Sequence, residues 1–147
     1  MAPPFSIVTV TGAAKTRHAA AAALFKGDKM KIDKMMAAYI EAIYFTDTGD
    51  EGQPDCDAEL SAETKREAWA ACHRLELACS GHNGIDLAQF NPVQVGHDLW
   101  LTRNGHGAGF WERSEIYGAE NARILTFMAR AMGEHDSQFE KDQNDTL

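Results

Sequence analysis

Apolar positions recur along this chain in stretches of helical period, separated by short polar breaks. From Met30 to Phe45, Ile32, Met35, Met36, Tyr39, Ile40 and Ile43 fall at three- and four-residue spacing, which predicts one amphipathic helix. Its end is open, because Tyr44-Phe45-Thr46 is also β-prone. Ser61 is a natural N-cap for a second helix, in which Ala68, Cys72, Leu75 and Cys79 form a stripe that Gly81 closes. Thr64 stands at the third position of that helix, so a full capping box is absent. Asn91-Pro92 is another start signal, with Val93, Val95 and Leu99 expected to face inward. A last helix is expected over Ala119–Met132, with Ile124, Phe127, Met128 and Ala131 as its apolar stripe, Leu125 and Met132 beside it, and Gly133 as its stop.

The remaining segments break these patterns. Residues 6–11 are a short β-prone run after two prolines, either an edge strand or a loose arm. Residues 17–26 are alanine-rich and predict a helix, ended by Gly27-Asp28. Residues 46–59 form a polar loop carrying Asp47, Asp50, Glu51, Asp55, Asp57 and Glu59. Their spacing does not match the EF-hand calcium loop, so a solvated acidic loop is expected. From Glu134 the chain becomes a polar tail.

Residues 98–113, D-L-W-L-T-R-N-G-H-G-A-G-F-W-E-R, place two aromatic, β-prone runs around a glycine-rich turn and predict a β-hairpin. A type I′ turn at Asn104-Gly105 would set Trp100 opposite Gly109. A type II′ turn at Gly105-His106 would set Trp100 opposite Trp111 and Asp98 opposite Arg113. The second register is preferred, because it pairs aromatic with aromatic and acid with base. The fold class expected is α+β: a single domain over 1–147, with three or four helices packed on a small antiparallel sheet containing the 98–113 hairpin. Residues 1–28 would be an arm or an added helix.

This segment also holds the candidate binding residues: Trp100, Arg103, Asn104, Gly105, His106, Gly107, Trp111 and Arg113. An arginine fork and the backbone N–H groups of Gly105 and Gly107 can hold an anion, and Trp111 can stack on a planar ligand. The Gly105–Gly109 string lacks the spacing of a dinucleotide fingerprint. No catalytic residue is assigned: a His–Asp–Ser set with His97, Asp98 or His106 has no nucleophile elbow to support it. No metal or cofactor is assigned either, since no C-x-x-C or H-E-x-x-H occurs and Cys79 with His82 is only half a site.

Charge narrows the partners. The 147 residues carry 14 basic and 22 acidic side chains, a net of −8, unevenly spread. Residues 1–45 hold six basic and three acidic groups, a net of +3, and residues 46–147 hold eight basic and nineteen acidic groups, a net of −11. Such a body repels phosphates, so direct duplex binding is not expected, while a basic groove on another protein would attract it. Cys72 and Cys79, seven apart on one helix, lie about 10.5 Å apart, too far for a disulfide. The odd count of three suits reduced thiols in a cytosol. The short apolar run 7–10 precedes its basic residues rather than following them, so no signal peptide is expected, and no apolar stretch is long enough to predict a membrane span.

Residues 96–113, G-H-D-L-W-L-T-R-N-G-H-G-A-G-F-W-E-R, resemble a signature of small proteins encoded by tailed bacteriophages. The segment from Tyr44-Phe-Thr-Asp to Asp55 is a looser match, and the resemblance covers about residues 40–133. It implies a phage origin and a place in the host bacterial cytoplasm, and it implies no activity. The function expected is a non-enzymatic accessory protein that binds a host protein, inhibiting a defence or nucleic-acid enzyme through its acidic surface. One alternative is binding or processing a nucleotide or other phosphorylated small molecule at the 103–111 tip. Another is a virion or assembly protein. Oligomeric state is left open.

Overall fold

The helix expected after Met30 forms, and it runs further than its apolar stripe required. The structure, a computed structural model, describes residues 30–80 and 84–140. The expected strand at 6–11, the helix at 17–26, the turn at His82-Asn83 and the tail from residue 141 lie outside them. Helix α1 spans 30–47, so Tyr44 and Phe45 stay helical. It is followed by α2 (Ala62–Ala78), a 3-10 turn at Leu87–Gln89, α3 (Pro92–Arg103), a second 3-10 turn at Phe110–Glu112, α4 (Ser114–Tyr117) and α5 (Ala119–Ala131). The packing described here belongs to the unit that begins at Ile32. No helix among the described residues is long and apolar enough to cross a membrane.

This architecture overturns the α+β expectation. Among the described residues the only β pairing is an isolated antiparallel bridge between Leu60 and Phe139. The expected 98–113 hairpin is absent. Asn91 caps α3, its side chain accepting from Val93 N at 2.9 Å, and Pro92 opens the first turn. The helix so started continues to Arg103 through residues whose local preference is for strand. Tertiary burial decides the matter. Val95, Gly96, Asp98, Leu99, Trp100, Thr102 and Arg103 are all buried, so most of the circumference of α3 lies inside the protein. Apolar groups on both presumed hairpin faces are therefore the mark of a central helix.

The Asn-Gly pair misled for a related reason, since it suits a hairpin turn and a helix stop equally. Here it is a stop. Gly105 takes a left-handed conformation (φ +66°), its N–H donates to Thr102 O at 3.4 Å, and His106 N donates to Leu101 O at 3.0 Å. Those two bonds define a Schellman C-cap.

Close approach, not turn geometry, explains Gly96. A Cβ there would lie 2.1 Å from the backbone oxygen of Met35, so α3 crosses α1 at the distance of bare backbone. Around this crossing Ile32, Met35, Tyr39 and Ile43 of α1, Leu75 of α2, Leu99 and Trp100 of α3, Phe110 and Leu125 form one buried cluster. Ala68, Cys72, Leu75 and Cys79 of α2 are buried in the expected stripe, and Ser61 caps that helix by accepting from Thr64 N at 3.1 Å.

Two expected stripes turn out differently. Val93 is exposed, leaving Val95 and Leu99 as the inward apolar residues of α3. Helix α5 fully buries Ala122, Leu125, Thr126 and Ala129, while of its expected stripe Ile124 and Met128 are half-buried against the core, Ala131 is exposed and Phe127 is 73% exposed. The tail after Gly133 also folds back. Ser61 N donates to Gln138 O at 2.8 Å, Glu140 N to Glu59 O at 2.7 Å, and His135 is buried.

Candidate functional site

The polar residues of the 98–113 segment lie in two buried networks. The first centres on Asp98, which is completely buried. Helix α3 sets Gln94 one turn before it, the 3-10 turn delivers Arg113, and α4 delivers Tyr117. Asp98 Oδ1 accepts from Arg113 Nε at 2.7 Å, and Oδ2 accepts from Tyr117 Oη at 2.7 Å and from Gln94 Nε2 at 3.0 Å. Burial, then the bond to Asp98, pushes the Tyr117 phenol far above its ordinary range. The bond from Arg113 Nε to Asp98 raises the Arg113 guanidinium in turn. Asp98 and Arg113 thus pair as the hairpin reading expected, through a helix and a turn instead of across two strands.

The second network centres on Arg103, whose side chain is almost fully enclosed. Its Nε donates to Gly133 O at 2.6 Å, Nη1 to Tyr39 Oη at 3.1 Å, and Nη2 to Met132 O at 3.4 Å and to Glu67 at 2.8 Å. Tyr39 Oη, accepting from Arg103, lies 2.7 Å from His135 Nδ1. Burial raises the Tyr39 phenol well above its usual value, although Arg103 opposes that. Burial, reinforced by the Arg103 charge, pulls His135 below its usual value. Burial alone would raise Glu67, but the bonds and charges of Arg103 and Arg74 together outweigh it and hold the carboxyl low. His135 is therefore neutral at pH 7 and shares a hydrogen bond with Tyr39 Oη through Nδ1.

Neighbouring side chains complete this fastening. Asn104 Nδ2 donates to Trp100 O at 3.1 Å, while its Oδ1 accepts from His135 N at 2.9 Å. Trp100 Nε1 donates to Thr46 Oγ1 at 2.9 Å, and its ring meets Tyr39 edge-on at 5.4 Å. Thr102 Oγ1 accepts from Phe110 N at 3.0 Å, and only a glycine fits at 109, since a Cβ there would fall 2.1 Å from that oxygen.

The candidate binding residues are therefore not gathered at one exposed tip. Trp100 and Arg103 are buried, Asn104 and Arg113 are half-buried, and all four are bonded internally. The N–H of Gly105, expected to be free for an anion, closes the helix cap instead. Gly105, His106 and Gly107 are exposed. Trp111 is half-exposed and lines a separate cavity of about 290 Å³ with Ser114, Ala119, Ala122, Arg123 and Thr126. Sequence reasoning missed Tyr39, Glu67, Tyr117 and His135, because their partners are up to 96 residues away. Of these contacts the Asp98–Arg113 pair was anticipated, although through the wrong backbone.

Two features face outward. The acidic loop is held on an ordered backbone: Gly49 N donates to Pro54 O, Gln53 N to Asp50 O, Ala58 N to Asp55 O, and Gln53 Nε2 to Thr46 O. Asp50, Glu51, Asp55 and Asp57 project from it into solvent. The second is an apolar groove of about 670 Å³ between α2 and α5, with Phe127 on its wall. Among the described residues no group of three or more His, Cys, Asp or Glu side chains has metal-holding geometry. Comparison with known protein families, curated proteins and solved structures finds no match for this chain.

Proposed function

We propose that this chain is an accessory protein of a tailed bacteriophage that acts in the host bacterial cytoplasm by binding a host protein, without catalysing a reaction. Its target is a defence or nucleic-acid enzyme with a basic groove, which the acidic surface of this protein occupies. The observation that carries the reading is the acidic loop. Four carboxylates point into solvent from a backbone pinned by its own hydrogen bonds, so little ordering entropy is lost when they meet cations. The closure of the Asp98 and Arg103 networks supports it too, since the most distinctive polar residues serve the fold and leave recognition to the surface.

The test is a pull-down with tagged full-length protein from host lysate at rising salt. Beside it runs a variant with Asp50→Asn, Glu51→Gln, Asp55→Asn and Asp57→Asn. One stoichiometric host protein is expected, retained at about 0.1 M salt, released near 0.5 M, and lost with the variant. A partner held equally by both proteins at all salt concentrations would refute the acidic-surface reading.

A further inference from the structure

Helix α5 leaves an apolar strip partly open to solvent: Ile124, Met128 and Met132 are half-buried against the core, and Phe127 and Ala131 are exposed. Its buried positions are Ala122, Leu125, Thr126 and Ala129, while Ile124, Phe127, Met128, Ala131 and Met132 line the groove that Ala78 and Arg74 of α2 complete. The strip and its largely exposed phenylalanine form a concave apolar surface that the apolar side chains of a partner can fill. Two methionines in the groove suit an occupant whose side chains must be accommodated by repacking.

Charge says what that occupant is. Residues 46–147 hold only eight basic residues against nineteen acidic ones. Arg103 and Arg113 are bonded into the buried networks, and Lys65 pairs with Glu59. Three of the other arginines gather here. Arg123, Phe127 and Arg130 fall at i, i+4 and i+7 on α5, so they share one face, and all three are exposed. Arg74 stands on the α2 side. These charges are poorly neutralised. Arg123 reaches Glu120 only at 3.8 Å with both side chains in solvent, and the one carboxylate of Glu67 is shared between Arg74 and Arg103. An apolar strip flanked by arginines, on a body that is otherwise acidic, is complementary to an acid-flanked amphipathic helix. A second copy of this chain is a poor occupant: it carries a net −8, and two-fold pairing would set like arginines against each other.

We infer that the α2–α5 groove is a docking site for an amphipathic helix of a partner protein, one whose apolar face is flanked by aspartate or glutamate. This goes beyond the acidic-loop reading, because the two surfaces have opposite charge and each is tested separately. The experiment is a display selection of random peptides of about 16 residues, long enough for a marginal helix, against the full chain with counter-selection against Phe127→Ser. The expected result is enrichment of sequences with aliphatic residues at i, i+3 or i+4 and i+7 and with Asp or Glu beside them. Arg123→Glu/Arg130→Glu should weaken the best peptide about tenfold or more, with steep salt dependence. Circular dichroism checks that both variants keep the fold, which their exposed positions favour. Absence of any Phe127-dependent enrichment would overturn the inference, and so would a lysine- or arginine-rich consensus. A wild-type dimer in sedimentation that Phe127→Ser dissolves would also overturn it, because the occupant would then be a second copy.

Discussion

Removing the Asp98 carboxylate tests whether the distinctive segment is a structural lock. In Asp98→Ala, three donors lose their acceptor: Arg113 Nε, Tyr117 Oη and Gln94 Nε2. They do not suffer equally. Arg113 and Gln94 are only half-buried and can turn towards water, whereas Tyr117 is 2% exposed and cannot. Hydrogen bonds to a charged group contribute roughly 1.5–3 kcal/mol each. Breaking one side of a buried ion pair costs about 3–5 kcal/mol. The estimate for Asp98→Ala is thus about 3–5 kcal/mol, a fall in melting temperature of about 10–20 °C for a domain of this size. Tyr117→Phe alone should cost about 1.5–3 kcal/mol by losing one such bond. In the Asp98→Ala background it should cost almost nothing, because the orphaned hydroxyl is gone. Urea denaturation of the four proteins closes the double-mutant cycle, with an expected coupling of about 1.5–3 kcal/mol. A loss below about 1 kcal/mol for Asp98→Ala, or additive effects of the two changes, would refute the lock.

Further outcomes follow from the same geometry. Gly96→Ala should destabilise by about 1–3 kcal/mol or more, since α1 and α3 must separate to admit the Cβ; an unchanged thermal midpoint would contradict the close crossing. Arg103→Ala should free the tail, read as faster hydrogen exchange at the amides of His135, Gln138 and Glu140 relative to those of α5. The lowered His135 makes stability depend on pH in a defined sense. The unfolded chain takes up its proton near 6.5 while the folded chain resists, so stability holds above 6.5 and declines as pH falls from there through the depressed folded value. Urea midpoints between about pH 7.5 and 5 should show this decline, and His135→Asn should flatten it. Burial pushes the Cys72 and Cys79 thiols up to about 12, whereas Cys56 is exposed. Under native conditions a thiol reagent such as DTNB should therefore label Cys56 far faster than the other two, and urea should abolish the difference.

Where the outcome could be read in advance, the signal was local. The Ile32–Ile43 spacing, the Ser61 and Asn91-Pro92 starts and the Gly133 stop each depend on residues within one or two turns of each other. Those elements formed where they were expected. The 98–113 segment failed because its signals were local too but ambiguous. β-prone aromatics and Asn-Gly suit a hairpin and a buried helix with a Schellman stop equally, and enclosure of α3 on several sides chose the helix. Helix α5 departed only in part: it formed where expected and Ile124 and Met128 pack on the core, but its neighbours left Phe127 exposed and buried Ala122, Thr126 and Ala129 instead.

The amino-acid sequence alone thus determined the helix periods, most starts and stops, and the charge imbalance between the two parts of the chain, since these depend on neighbouring residues and on simple addition. Only the tertiary structure decided that Arg103 and Asp98 serve the interior, that His135 returns to Tyr39, and that Phe127 faces out. Each of those facts depends on groups brought together across tens of residues. A buried charge is stable only where its partners converge on it, and no local pattern encodes where that convergence occurs.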